Sequence, residues 1–207
     1  MNIYEYIDYT LLKPTATYND IWNLCEEAKK KNCATVCIPP HFVDFVYKLQ
    51  PTVQICTVIG FPFGNTTLKS KIAEAKQAIT DGAHEIDVVI NISELKNGNY
   101  PYIINEINEI VKVVPTTVIV KIIIETCYLT NEEIAIVAKI IDESDADYVK
   151  TSTGYGTRGA SFEDIEIINS VISNRTLIKA SGGIHSEEEI IKYIELGCNR
   201  IGASKLP

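Results

Sequence analysis

The 207 residues predict an α/β chain folded as one compact (β/α)8 barrel, with residues 1–207 forming a single domain. Three observations carry this prediction. A unit of amphipathic helical stretch, small-residue stop and short β-branched run repeats along the chain. Eight apolar strand candidates can be counted, and their unbroken apolar character suits parallel strands covered by helices. The length and the 46% hydrophobic content suffice for one sizeable core but not two.

Taken in order, strand candidates begin near Tyr6, Thr35, Gln54, Glu85, Thr117, Asp147, Thr176 and Asn199. Helical stretches at 20–31, 67–80, 131–143, 162–173 and 186–196 precede ATVCI, EIDVVIN, DYVKTS, TLIKAS and NRIGAS. Asn32, Asp81-Gly82, Asp145 and Gly197 stand where helix C-terminal stops are needed. Pro39-Pro40 and the FPFG stretch at 61–64 read as strand-to-helix turns. An open doubly wound sheet uses the same grammar, but no GxGxxG turn follows the first strand, which weakens its dinucleotide-binding form. The chain stops at Pro207, directly after the eighth candidate, so the eighth helix is expected to be missing or reduced to a stub. The apolar flank left there predicts a homo-oligomer, dimer or tetramer.

A net charge of −8 argues against nucleic-acid and membrane-surface partners, which require a basic footprint. It leaves room for a phosphorylated small molecule, which needs only a local pocket. No apolar run approaches the ~18–20 residues of a membrane span, and MNIYEYIDYT lacks the basic start of a secretory signal. The expected compartment is the cytoplasm. Cys25, Cys33, Cys37, Cys56, Cys127 and Cys198 form no CxxC pair and cluster with no histidine. They read as buried free thiols, with no metal site.

In a parallel barrel the chemistry gathers at the C-terminal strand ends. Those positions hold Asp8, Cys37, Asp87, Glu125, Lys150 and Lys179, followed by the loops STGYGTRG, SGGIHS and GASK. Most of the sixteen lysines read as solvated helix faces, among them Lys29, Lys30, Lys31, Lys69 and Lys71. Lys121, Lys150 and Lys179 instead lie inside VIVKIII, DYVKTS and TLIKAS, where an unpartnered ammonium is costly. Lys121 reads as half of a buried pair with Asp87 or Glu125. Alternation puts Tyr148, Lys150 and Ser152 on one face, and Leu177, Lys179 and Ser181 likewise, so strands six and seven aim two ammonium groups into one cavity. Neighbouring cations depress one another, which yields a neutral amine able to attack a carbonyl: Lys150 as nucleophile, Lys179 as its perturber. Asp87, in mid-strand, can hydrogen-bond a lysine and relay protons through water. Asp8 is a second candidate carboxylate. Gly182-Gly183 after strand seven, and Gly202 with Ser204 after strand eight, suit a phosphate pocket of backbone amides.

These segments resemble the deoxyribose-phosphate aldolase family from end to end. IDYTLLKPTAT at 7–17, VCIPPHFV at 36–43, TVIGFPFGNTT at 57–67 and EIDVVINI at 85–92 carry the likeness. VKIIIET at 120–126, DYVKTSTGYGTRGAS at 147–161, IKASGGIHS at 178–186 and RIGASK at 200–205 complete it. The resemblance implies reversible cleavage of 2-deoxy-D-ribose 5-phosphate to D-glyceraldehyde 3-phosphate and acetaldehyde, without metal or organic cofactor. It implies that Lys150 forms the Schiff base, that Lys179 is the second active-site lysine, and that Asp87 works with both through water. Asp8 and Cys37 match positions around the substrate. Thr153, Gly154, Gly182, Gly183, Gly202 and Ser204 match binding loops. The chain departs from the family pattern in four places. Tyr9 stands where many members carry His, and His185 where an Arg is frequent. Ser204-Lys205 replaces paired serines, so Lys205 is expected to supply the lost positive charge. The tail whose Tyr reaches the active site in some members has no counterpart before Pro207, which leaves proton transfer to water held by Asp87 and Lys179. Transaldol transfer, another aldol donor, or an inactive phosphosugar-binding barrel are the competing readings.

Overall fold

Eight short parallel strands pair in chain order, and the last returns to the first: β1 (Ile7–Thr10), β2 (Thr35–Ile38), β3 (Ile55–Ile59), β4 (Glu85–Val89), β5 (Ile119–Ile123), β6 (Tyr148–Lys150), β7 (Leu177–Ser181) and β8 (Arg200–Ala203). This computed structural model describes residues 2–207. The predicted strands all appear, each starting within two residues of its expected position.

Helices α1 (Tyr18–Lys31), α2 (Val43–Leu49), α3 (Leu68–Thr80), α4 (Ile92–Lys96), α5 (Tyr100–Val111), α6 (Asn131–Asp142), α7 (Phe162–Val171) and α8 (Glu187–Glu195) form the outer layer. Their starts are written locally. Thr17, Thr130, Ser161 and Ser186 each accept from the third helical amide, and an acidic side chain three residues on returns the bond to the cap. Asn32 ends α1 in the left-handed region at φ 62°, where an Asn is tolerated. Two helices lie between β4 and β5, and among the described residues none follows β8. Among the described residues the outer layer is therefore eight helices in seven connections. The tyrosine hydroxyl of Tyr4 donates to the Pro207 carbonyl at 3.0 Å and accepts from Lys31 Nζ at 3.0 Å, which ties both chain ends to α1.

Strand alternation divides the residues into two environments. Ile7, Val36, Ile55, Ile86, Ile122, Val149, Ile178 and Ile201 point outward and are buried against the helices in one continuous core. Each such side chain contributes roughly 1.5–3 kcal/mol by leaving water. The intervening residues point inward, and there the interior is charged. One helix position departs from the sequence reading. Lys71 on α3, expected in solvent, is 0% exposed and bonds Glu106 of α5 at 2.8 Å. No helix among the described residues is long and apolar enough to cross a membrane.

Candidate active site

Parallel pairing sets the inward residues side by side. Lys150 is in register with Lys179, Asp87 with Lys121, and Lys179 with Arg200. Asp87 is the hub. Its Oδ2 accepts from Lys150 Nζ at 2.8 Å and from Lys179 Nζ at 2.7 Å. Its Oδ1 accepts from Lys121 Nζ at 2.9 Å and from the Cys56 thiol at 3.3 Å. Lys179 also pairs with Asp8, which accepts from Thr35 Oγ1 at 2.8 Å and from Arg200 Nη1 at 2.5 Å. Arg200 in turn grips Glu85 through two bonds of 3.1 Å, and Glu85 pairs with Lys121 as well.

Four cations thus face three carboxylates inside the barrel: Lys121, Lys150, Lys179 and Arg200 against Asp8, Glu85 and Asp87. Burial pushes the Asp87 carboxyl up, but Lys121, Lys150 and Lys179 together outweigh it and hold it well below the usual carboxylate range. Asp8 is likewise held low: its burial is outweighed by Lys179, Lys121 and Arg200. For Lys179 burial acts downward, yet Asp8 and Asp87 prevail and raise it above the ordinary lysine value. For Lys179 this corrects the expectation that neighbouring cations depress one another, since the two carboxylates outweigh the nearby cation. Asp8 and Asp87 thus favour the charged form of Lys179.

Above this layer, at the C-terminal strand ends, opens a cavity of about 560 Å³. Lys150, Thr153, Gly154, Gly182, Gly183, Gly202, Ser204 and Lys205, all predicted, line it. Of the four buried cations only Lys150 borders it. Asp8 and Cys37, expected around the substrate, are fully buried one layer below: Asp8 is committed to Lys179 and Arg200, and Cys37 packs with Cys56 and Val58. Glu125 does not pair with Lys121. It sits in the left-handed region at φ 54°, which turns its carboxylate toward the Thr153 amide and hydroxyl. Burial raises its carboxyl above the ordinary value against the pull of those bonds.

Glycine is obligatory at two of the lining positions. A Cβ on Gly182, at φ +83°, would stand 2.9 Å from the Gly159 Cα, and one on Gly202 would meet the Ser181 Cβ at 2.8 Å. Three groups escaped the sequence reading. Arg200 and Glu85 complete the charge cluster, and the burial argument applied to the lysines would have found Arg200 in NRIGAS. Lys13, in the loop after β1, joins His185 and Lys205 at the cavity rim.

Two triads, Cys37–Cys56–Asp87 and Asp8–Cys56–Glu85, bring three donor atoms within 4.8 Å of one another. The Lys121 ammonium already occupies the attention of both: it lies 2.9 Å from Asp87 and 3.5 Å from the Cys56 sulfur, and it pairs with Glu85. The donor set is committed to a cation that belongs to the chain. The peripheral thiols are poorly ionised, since burial pushes Cys25 and Cys33 up to about 11 and Cys198 up to about 12.

A closed parallel barrel whose buried lysine cluster opens through one amine onto a glycine-lined cavity defines a barrel enzyme of the aldolase class. The chain belongs to the DeoC/LacD family of aldolases, whose sequence profile matches residues 5–204. Among curated proteins, the deoxyribose-phosphate aldolase of Caldanaerobacter subterraneus subsp. tengcongensis is 49% identical over 208 residues, covering 99% of this chain and 90% of its own. That of Malacoplasma penetrans is 49% identical over 200 residues, covering 96% and 90%. Among solved structures, the aldolase QR15 superposes with a TM-score of 0.94 at 38% identity, covering 98% of this chain and 91% of that one. The deoxyribose phosphate aldolase of Aeropyrum pernix, described as a unique tetrameric structure, gives 0.90 at 31% identity, covering 98% and 86%.

Proposed function

We propose that this chain is a class I aldolase that reversibly cleaves 2-deoxy-D-ribose 5-phosphate to D-glyceraldehyde 3-phosphate and acetaldehyde, with Lys150 as the Schiff-base nucleophile. One observation carries the reading: four cations share three carboxylates, and Lys150, whose single acidic partner is also bonded by Lys179, is the cation at the cavity. Attack on a carbonyl requires a neutral amine, and the Lys150 amine is the one of the four cationic groups that a substrate can reach.

The Lys150 nitrogen attacks the aldehyde carbon C1, and the resulting carbinolamine loses water to give an iminium. Removal of the C3 hydroxyl proton lets the C2–C3 bond break. Its electron pair moves into the iminium, leaving an enamine and free D-glyceraldehyde 3-phosphate. C2 then gains a proton, water adds to C1, and acetaldehyde leaves with Lys150 restored. Asp87, held ionised, orients the amine, and water at the Asp87–Lys179 contact carries the protons. The phosphate sits among the backbone amides of Gly154, Gly182, Gly183 and Gly202 with Thr153 and Ser204 near by. Support comes from Gly183, where an added Cβ would meet nothing within 4 Å. Lys13 and Lys205 supply the positive rim, with His185 beside them. Assembly as a dimer or tetramer belongs to this reading, in keeping with the tetrameric relative. So does a cytoplasmic location, which suits six free cysteines.

Incubation with acetaldehyde, borohydride reduction and peptide mapping tests the assignment. The adduct is expected on Lys150. Lys150→Ala should lose it together with on the order of 10⁴-fold or more of the cleavage rate. Absence of an adduct in the wild type would sink the reading. Lys179→Met removes a cation beside the amine, so adduct formation should begin at a higher pH; an unchanged profile would refute that role. Release of D-glyceraldehyde 3-phosphate without an added acceptor separates cleavage from transaldol transfer.

A further inference from the structure

Tyr155 follows the VKTSTG segment in the loop after β6, and the proposed reaction gives it no task. Its position is unusual. The side chain is half-exposed, yet its hydroxyl donates to the Leu12 carbonyl at 2.9 Å, joining the loop after β6 to the loop after β1. Its ring meets Phe61, in the loop after β3, edge to face at 5.4 Å. Its backbone amide donates to Thr153 Oγ1 at 3.0 Å, so the base of the side chain is anchored to the Glu125–Thr153 pair. One residue therefore links three loops across the barrel mouth.

A different kind of surface lies on each side of this link. On the β6–β8 side is the cavity that contains Lys150 and the glycine turns. On the β1–β3 side is a second cavity of about 450 Å³, whose walls include Pro39, Pro40, Val58, Phe61 and Pro62. Tyr155 and Leu12 are the two residues the cavities share. The second space continues an apolar cluster of Cys37, Cys56, Val58, Leu12 and Phe61 that is separate from the main core. Its lining is mostly apolar, with Glu74 the one charged side chain in it, whereas the Lys150 side adds glycine turns, Lys13, His185 and Lys205; Tyr155 and Leu12 stand at the boundary of the two.

We propose that Tyr155 is a specificity-determining partition: by walling the apolar cavity off from Lys150, it confines the acceptor to short, phosphate-bearing aldehydes. The proposal rests on Lys150 as the Schiff-base residue. Removing the ring joins the two cavities and gives an aldehyde with an alkyl chain an apolar site within reach of the Lys150 enamine. Apolar burial of a few methylenes discriminates by about tenfold or more, and the added space is large enough to hold them.

The experiment measures aldol addition with acetaldehyde as donor and two competing acceptors, pentanal and D-glyceraldehyde 3-phosphate, in wild type, Tyr155→Ala and Tyr155→Phe. The readout is the ratio of kcat/KM for pentanal to that for the phosphorylated acceptor. Tyr155→Ala should raise the ratio about tenfold or more. Tyr155→Phe keeps the ring against Phe61 and loses only the bond to Leu12, so its ratio should change less than the Ala variant's. A ratio unchanged in Tyr155→Ala, with both activities falling together, overturns the proposal, because that is what a merely structural residue would do. An Ala-sized shift in Tyr155→Phe also overturns it, since the ring would then not be the wall. Should Tyr155→Ala fail to fold, Tyr155→Leu replaces it with the same expected direction and the same overturning result. Borohydride trapping of acetaldehyde on Lys150 is run on every variant. Trapping with an unchanged ratio counts against the partition alone, whereas no trapping in the wild type counts against the Schiff-base reading.

Discussion

The chain buries lysine in two places, and the two outcomes differ. Between α3 and α5, behind β4, Lys71 and Glu106 form a one-to-one pair at 2.8 Å, and neither lines the cavity that Lys150 borders. Each partner makes one further bond: Lys71 donates to the Val89 carbonyl at 2.7 Å, and Glu106 accepts from the Asn91 amide at 2.8 Å. Inside the barrel, three lysines and Arg200 divide three carboxylates, and one amine borders open space. Both sites are almost fully buried, so on the proposed reading charge imbalance and access, not burial, set Lys150 apart. The outer pair is also no bargain for stability. Burial pulls Lys71 down and pushes Glu106 up, and each partner restores only part of the loss. Its role is to hold the end of β4, two residues beyond Asp87.

Replacing Asp87 should break the comparison most severely. Asp87→Asn leaves four cations on two carboxylates and removes the acceptor of Lys150. Cleavage is expected to fall by about 10²–10⁴-fold in kcat/KM, with adduct formation reduced in step. Normal turnover in this variant would remove Asp87 from the mechanism.

The outer pair should respond in stability instead. Lys71→Met strands a buried carboxylate and is expected to cost about 3–5 kcal/mol in urea unfolding, while kcat stays within a few-fold of wild type. Lys71→Met/Glu106→Leu should recover most of that loss, short of about 1 kcal/mol for the unpaired Asn91 amide. A double variant no better than the single one would show that the pair is net stabilising.

The smallest expected effect is in acid. Asp8 and Asp87 have folded-state values below their unfolded ones, so the unfolded chain binds more protons as pH drops. Their stabilisation is present above the unfolded carboxylate range of about 4 and is lost as pH falls toward the folded values. The melting temperature of the wild type should therefore decline below about pH 4, and Asp87→Asn should show a shallower decline. Equal slopes in the two proteins would mean that Asp87 is not held low.

Much of this was legible in the sequence because strand alternation is a rigid rule. Period two placed Lys150, Lys179 and Asp87 on the inner face, and the pattern of stops and apolar runs gave every strand. The rule failed where its premise fails. Glu125 lies beyond the end of β5 at positive φ, so counting by two from Lys121 sends it the wrong way. Lys71 was misread because a helix has no such binary choice: its neighbours in LKSKIAEAK mix polar and apolar residues, and its partner Glu106 lies 35 residues away on another helix. The Tyr155–Leu12 bond spans 143 residues and involves a backbone carbonyl, which no side-chain pattern announces.

The count of four cations to three carboxylates also bears on what happens after Lys150 has reacted. On the proposed route a neutral amine leaves that cluster balanced, and the protonated iminium, which keeps one N–H, restores the surplus positive charge. An iminium held under that electrostatic pressure is a stronger electron sink, and the electrons it can draw are those of the C2–C3 bond. In the proposed mechanism the same excess of positive charge that surrounds Lys150 would thus also hasten cleavage, so that one imbalance bears on two successive steps.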